Sequence, residues 1–121
     1  MNVLVVDDEA DFLATYDRLL RRQGWRAITA GTRQAALAVL AAEPVALLIT
    51  DVRLPDGDGL DIVRAARART EPPPVIVVTG FSSAQSRHQA LAAGASAYLA
   101  KPFSTSALTS MVRDALAPRL A

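Results

Sequence analysis

Two rhythms of apolar positions alternate along this chain. Short runs with almost no polar interruption, Asn2–Val6, Val45–Thr50 and Val75–Val78, have the length and residue types of strands buried on both faces. Trp25–Ala30 and Ala97–Leu99 predict two further strands. Between them, apolar residues recur at helical spacing. Phe12, Tyr16, Leu19 and Leu20 mark one face of a helix from Asp8 to about Gln23, with Gly24 just beyond it. Ala36, Leu37, Leu40 and Ala41 form the inner face of a second, which starts at Gly31 or Thr32 and ends at Glu43-Pro44.

The turn formers Leu54-Pro55-Asp56-Gly57-Asp58-Gly59 precede a third helix, which runs from Asp58 or Gly59 to Arg69 and is shut off by Glu71-Pro72-Pro73-Pro74. The fourth, near Ser83–Ala93, is poor in large apolar side chains and has Leu91 as its one obvious anchor. The fifth starts at Ser104 or Thr105 and turns Leu108, Val112 and Ala115 or Leu116 inward. Alternating strands and helices predict an α/β fold with a mostly parallel sheet, its crossovers covering both faces. Such sheets bind ligands beyond the carboxyl ends of their strands.

The residues just past each apolar run therefore matter most: Asp7 and Asp8 after the first strand, Asp51 after the third, Thr79 after the fourth and Lys101 after the fifth. Converging carboxylates repel one another and need a counter-charge. A hard, oxygen-seeking cation such as magnesium supplies it without histidine or cysteine ligands and leaves places for phosphate oxygens. A carboxylate beside such an ion can attack phosphorus and become an acyl phosphate. Asp51 is the expected nucleophile because it stands alone at the end of the most buried strand, whereas the adjacent Asp7 and Asp8 are arranged to hold metal. Lys101 and the Thr79 hydroxyl can each meet a phosphoryl oxygen. Lys101 is the single lysine beside twelve arginines, and a compact ammonium suits a crowded phosphate site better than a planar guanidinium.

Composition narrows the reading without changing it. A chain of 121 residues, 51% hydrophobic, predicts one domain with a substantial core. The absence of cysteine excludes thiolate catalysis and disulfides and fits a reducing compartment. No run is long enough for a membrane span, and no basic leader precedes the first strand, so neither a span nor a secretory signal is expected. A formal net charge of +1 exerts no general pull on nucleic acid. Arg18, Arg21, Arg22 and Arg26 read as a solvated helix face, and His88, without companion ligands, as a surface residue.

The strand ending Asp7-Asp8-Glu9, the Asp51…Pro55…Gly59 pattern, the Val77-Val78-Thr79-Gly80 turn and Lys101-Pro102-Phe103 together resemble the receiver domains of bacterial two-component response regulators over essentially the whole chain. The resemblance implies one receiver domain over residues 1–121, ordered from about 2 to 117. Its fold would be a flavodoxin-like, three-layer α/β/α arrangement, doubly wound around a five-stranded parallel sheet of order 2-1-3-4-5. It further implies that Asp51 takes a phosphoryl group from a phosphohistidine of a sensor histidine kinase or histidine phosphotransfer protein. Magnesium would be held by Asp8, Asp51 and the Arg53 backbone carbonyl, with Asp7 assisting.

Thr79 and Tyr98 would relay the change to the surface of the fourth helix, fifth strand and fifth helix, Lys101 would contact the phosphoryl group, Pro55 and Gly59 would shape the turn, and the bond before Pro102 would be cis. Such a protein is a cytoplasmic signalling switch, not a turnover enzyme, though it catalyses its own phosphorylation and autodephosphorylation. A homodimer and a C-terminal output domain, with any DNA binding confined to that domain, belong to the same expectation. Arg53 beside the acceptor either hinders attacking water, prolonging the phosphoryl group, or lies in solvent. Two other readings compete: a phosphorylation-independent binding or dimerisation module, and a metal-dependent phosphatase working through an aspartyl phosphate. The phosphatase would ordinarily carry a general acid where this chain has Arg53. No phosphate-binding glycine loop supports a nucleotide switch.

Overall fold

The computed structural model describes residues 2–117; Met1 and residues 118–121, part of the expected domain span, lie outside the described residues. Five strands, β1 (Asn2–Val6), β2 (Arg26–Ala30), β3 (Leu47–Thr50), β4 (Val75–Thr79) and β5 (Ala97–Ala100), alternate with five helices. The helices are α1 (Ala10–Arg22), α2 (Arg33–Ala42), α3 (Leu60–Arg67), α4 (Ala84–Ala93) and α5 (Thr105–Leu116). All four strand pairings are parallel and the order is β2-β1-β3-β4-β5, as the resemblance implied. A small antiparallel hairpin, Arg53–Leu54 against Gly57–Asp58, lies between β3 and α3, where the sequence predicted only turn residues.

The uninterrupted apolar character of β1, β3 and β4 follows from burial on two sides. Val3, Val5, Leu47, Ile49, Ile76 and Val78 face a core closed by Tyr16 and Leu20 of α1 and by Leu108 and Val112 of α5. Leu4, Val6, Leu48, Val75 and Val77 face the other, closed by Ala36 and Leu40 of α2, Ile62, Val63 and Ala66 of α3, and Ala90 of α4. Successive side chains therefore enter opposite layers of a three-layer α/β/α stack.

Three expectations shift in detail. Ala41 is exposed, and Val39 packs against the core in its place. Trp25 precedes β2: its N–H donates to the Leu20 carbonyl at 3.0 Å and so closes the end of α1. Leu91 is not the anchor of α4; it is 42% exposed, while the neighbouring Ala90 is fully buried. Adjacent helical positions point about 100° apart. A close approach between helix and sheet takes the methyl group and turns the longer side chain outward.

Ladder bonds run one residue past the strands. Asp7 N–H donates to the Ala30 carbonyl at 3.1 Å, Asp51 N–H to Val6 at 3.0 Å, and Lys101 N–H to Thr79 at 2.9 Å. The chemically interesting strand-end residues are thus held by the sheet itself.

Candidate functional site

At the carboxyl edge of the sheet the Lys101 ammonium sits 2.7 Å from Asp7 Oδ2 and 2.9 Å from Asp51 Oδ2. Glu9 Oε1 is 3.5 Å away, and the Phe12 ring centroid lies 4.0 Å beneath the same nitrogen. The lysine side chain is only 7% exposed. Its position at the end of the edge strand β5 lets the long stem reach back across β4 to the acids of β1 and β3, with its methylenes and charge covered by Phe12. Lys101-Pro102 is a cis peptide bond.

Both oxygens of Asp51 are engaged. Oδ2 accepts from Lys101, while Oδ1 accepts from the N–H of Val52 at 2.6 Å and, at a long 3.4 Å, from that of Arg53. Asp7 is similarly divided, its Oδ1 receiving the Glu9 N–H at 2.9 Å. Burial pushes the Asp7 carboxyl above its ordinary value, against the pull of Lys101 and of the Glu9 N–H. Burial alone would lower Lys101, yet its bonds to Asp7 and Asp51 and their charges raise it, so the ammonium stays protonated.

Asp8 and Glu9 are exposed beside Asp7, and one carboxylate oxygen from each of the three lies within 4.8 Å of the others. The Lys101 ammonium lies within 3.5 Å of carboxylate oxygens of Asp7, Glu9 and Asp51, and Asp8 stands beside them, so carboxylates outnumber the ammonium at this rim. The donors are all oxygen, which suits a hard divalent cation. In the sequence Glu9 stands out as part of the acidic run, but nothing there gives it a place in the site. Asp51 stands outside this trio and joins it through Lys101.

Thr79 is fully buried and its Oγ1 accepts the Phe81 N–H at 3.1 Å. Tyr98 lies away from the acids, packed on the α2–α3–α4 core layer, with its hydroxyl 2.9 Å from Ser86 Oγ on α4. Arg53 does not simply lie in solvent: its guanidinium carbon is 3.8 Å from the Phe81 ring centroid. These two residues, with Val52, Thr79, Ser86 and Gln89, line a cleft of about 310 Å³ beside Asp51. No local pattern in the sequence signals the Arg53–Phe81 contact, because it joins the hairpin to the loop after β4. Pro55 is exposed in the hairpin turn, whereas Gly59 is buried against Asp51; a side chain there would collide with the Asp51 carbonyl.

The family model described as response regulator receiver domain matches residues 3–113. The response regulator protein PilR of Pseudomonas aeruginosa is 39% identical over 113 residues, which is 93% of this chain and 25% of that protein. The transcriptional regulatory protein PrrA of Mycobacterium tuberculosis is 38% identical over 117 residues, 97% of this chain and 50% of that protein. This chain thus spans between a quarter and about half of the length of these relatives.

Among solved structures, a CheY-like response regulator receiver domain protein of Methanospirillum hungatei superimposes with a TM-score of 0.89 at 30% identity, covering 95% of this chain and 92% of that one. The beryllofluoride-activated NtrC4 receiver domain dimer gives 0.88 at 30% identity and covers 95% of each chain. Receiver domains serve histidine-to-aspartate phosphoryl signalling and catalyse their own phosphorylation and dephosphorylation. With a buried aspartate, an acidic cluster, a buried threonine and a bridging lysine at one sheet edge, this chain belongs to the response regulator receiver domain family.

Proposed function

We propose that this chain is a magnesium-dependent phosphorylation switch whose acceptor is Asp51. The observation that carries the reading is the polarised setting of that carboxylate: almost buried, one oxygen is met by the Lys101 ammonium and the other by backbone N–H groups, beside the acidic trio. A carboxylate oxygen attacks the phosphorus of a phosphohistidine on a sensor kinase or histidine phosphotransfer protein. The new O–P bond forms as the N–P bond breaks, and the histidine nitrogen leaves with the electron pair.

Lys101 then donates to a phosphoryl oxygen, and the Thr79 hydroxyl, now an acceptor for Phe81 N–H, turns to donate to another. Magnesium is the cation that fits the all-oxygen donor set, with Asp8, Asp51 and the Arg53 carbonyl as ligands and Asp7 assisting; when bound it neutralises charge on the phosphoryl oxygens. Removal of Thr79 from Phe81 N–H loosens the loop into α4, and Tyr98, tied to Ser86, carries the change to the surface of α4, β5 and α5. That surface is where a second copy or an output domain, transcriptional in several relatives, would respond. No helix among the described residues is long and apolar enough to cross a membrane, and a cytoplasmic setting agrees with a kinase partner.

Intact mass after incubation with magnesium and a small acyl phosphate tests the reading. A hydroxylamine-labile gain of about 80 Da, absent from Asp51→Asn and from the magnesium-free sample, is expected. A protein unmodified by both this donor and a phosphorylated histidine phosphotransfer domain would instead be a phosphorylation-independent binding module.

A further inference from the structure

The segment that leaves Asp51 is fastened at its tip to a helix distant in sequence. The Asp56 carboxylate accepts the N–H of Arg33 at 2.7 Å and that of Gln34 at 2.9 Å. These belong to the first turn of α2, whose N–H groups have no partner inside the helix. Arg33 folds back over the hairpin so closely that a Cβ on Gly57 would lie 2.8 Å from Arg33 Cδ. Its Nε then donates to Asp61 Oδ2 in α3 at 2.9 Å. One arginine thereby joins α2, the hairpin tip and α3.

Thr32 Oγ1 caps only the Ala35 N–H, at 3.1 Å, and Asp56 completes the cap by taking the N–H groups of Arg33 and Gln34. The distinctive property of Asp56 is its place on the hairpin. Pairing of Arg53 with Asp58 and of Leu54 with Gly57 couples the tip to the base. At that base the Gly59 N–H donates to the Val52 carbonyl at 2.6 Å, and the Arg53 N–H reaches Asp51 Oδ1 at 3.4 Å. A bond so long is made or lost by a small shift of the hairpin.

We propose that Asp56 and Arg33 are positioning residues for the acceptor: by clasping the hairpin tip to α2 they set where the Arg53 backbone, N–H and carbonyl alike, stands beside Asp51. The inference rests on the reading of Asp51 as acceptor. Loss of the clasp leaves the acceptor itself intact but lets the Arg53 peptide drift from it.

The test compares Asp56→Ala with Thr32→Ala, which removes a cap from the same helix without touching the hairpin, and with Asp56→Asn, which keeps one acceptor oxygen. In the magnesium-free proteins, amide hydrogen exchange at Val52 and Arg53 is expected to quicken in Asp56→Ala and to remain as in the unmutated chain in Thr32→Ala. In phosphoryl uptake from a small acyl phosphate, the half-saturating magnesium concentration is expected to rise about tenfold in Asp56→Ala, by less in Asp56→Asn and not in Thr32→Ala, as for loss of a residue that orients a metal ligand.

If Asp56→Ala and Thr32→Ala behave alike in both readouts, Asp56 is only a cap and the proposal falls. Should the unmutated protein take up no phosphoryl group, the acceptor reading fails separately, and the magnesium-free exchange alone decides whether the clasp orders the Arg53 peptide.

Discussion

Lys101 serves two carboxylates at once, and its removal would leave both Asp7 and Asp51 buried without the charge that balances them. Uncoupling a buried ion pair from one side costs about 3–5 kcal/mol. Lys101→Ala is therefore expected to lower unfolding stability in magnesium-free urea titrations by roughly 3 kcal/mol, and phosphoryl uptake by about 10²-fold or more. An unchanged midpoint would mean that solvent already neutralises the pair. Arg53 and Phe81 make a weaker contact, worth about 0.5–1 kcal/mol at an exposed site. If the pair shields the acyl phosphate from water, Phe81→Ala shortens the phosphoryl half-life by roughly two- to fivefold, and Arg53→Ala does the same. An equal half-life in both variants and in the unmutated protein would leave the contact without a part in hydrolysis. The acids, the threonine and the lysine were legible in the sequence because each ends an apolar strand. Their partners Phe12 and Phe81 were not, since each contact crosses between elements whose relative position only the fold sets.

Among the helices, α4 is held most lightly: Ala90 is its one buried side chain. Hydrogen exchange is expected to open residues 84–93 well before β3 and β4, and phosphorylation is expected to change protection there first. Protection of α4 equal to that of α3, which buries Leu60, Ile62, Val63 and Ala66, would contradict this ranking. The sequence disclosed the weakness of α4 but not its face, because alanines on several sides give a helix no single apolar stripe. The hairpin escaped notice for a related reason: strands of two residues are indistinguishable from turns in a Pro-Asp-Gly segment.

The contact between this hairpin and α2 also carries a pH signature. The two N–H bonds from Gln34 and Arg33 hold the Asp56 carboxyl below its ordinary value of 3.8. A depressed folded-state value means that the stabilisation is present above 3.8 and disappears as the pH falls through the lower folded value. Thermal midpoints of the unmutated protein and Asp56→Ala should accordingly differ at neutral pH and converge on the acid side of that value. A gap independent of pH would assign the effect to chain packing instead of the carboxylate.

On the scale of the whole molecule, two core layers on a five-stranded sheet present the ends of β1, β3, β4 and β5 along a single edge. Strand order was not readable from apolar periodicity, which reports which faces are buried but not which strands are neighbours; it came from the resemblance. The sheet then explains why residues as distant as Asp7 and Lys101 meet at 2.7 Å. The relatives carry this unit within longer chains, of which this chain spans between a quarter and about half. The central claim remains local: one carboxylate, Asp51, receives the phosphoryl group. Borohydride reduction of the phosphorylated protein, followed by peptide mapping, tests it most directly, since an acyl phosphate is reduced to an alcohol at the carboxylate that carried it. Reduction confined to Asp51, with Asp7, Asp8 and Asp58 unchanged, is the predicted result, and reduction at any of those three while Asp51 stays intact would contradict the account.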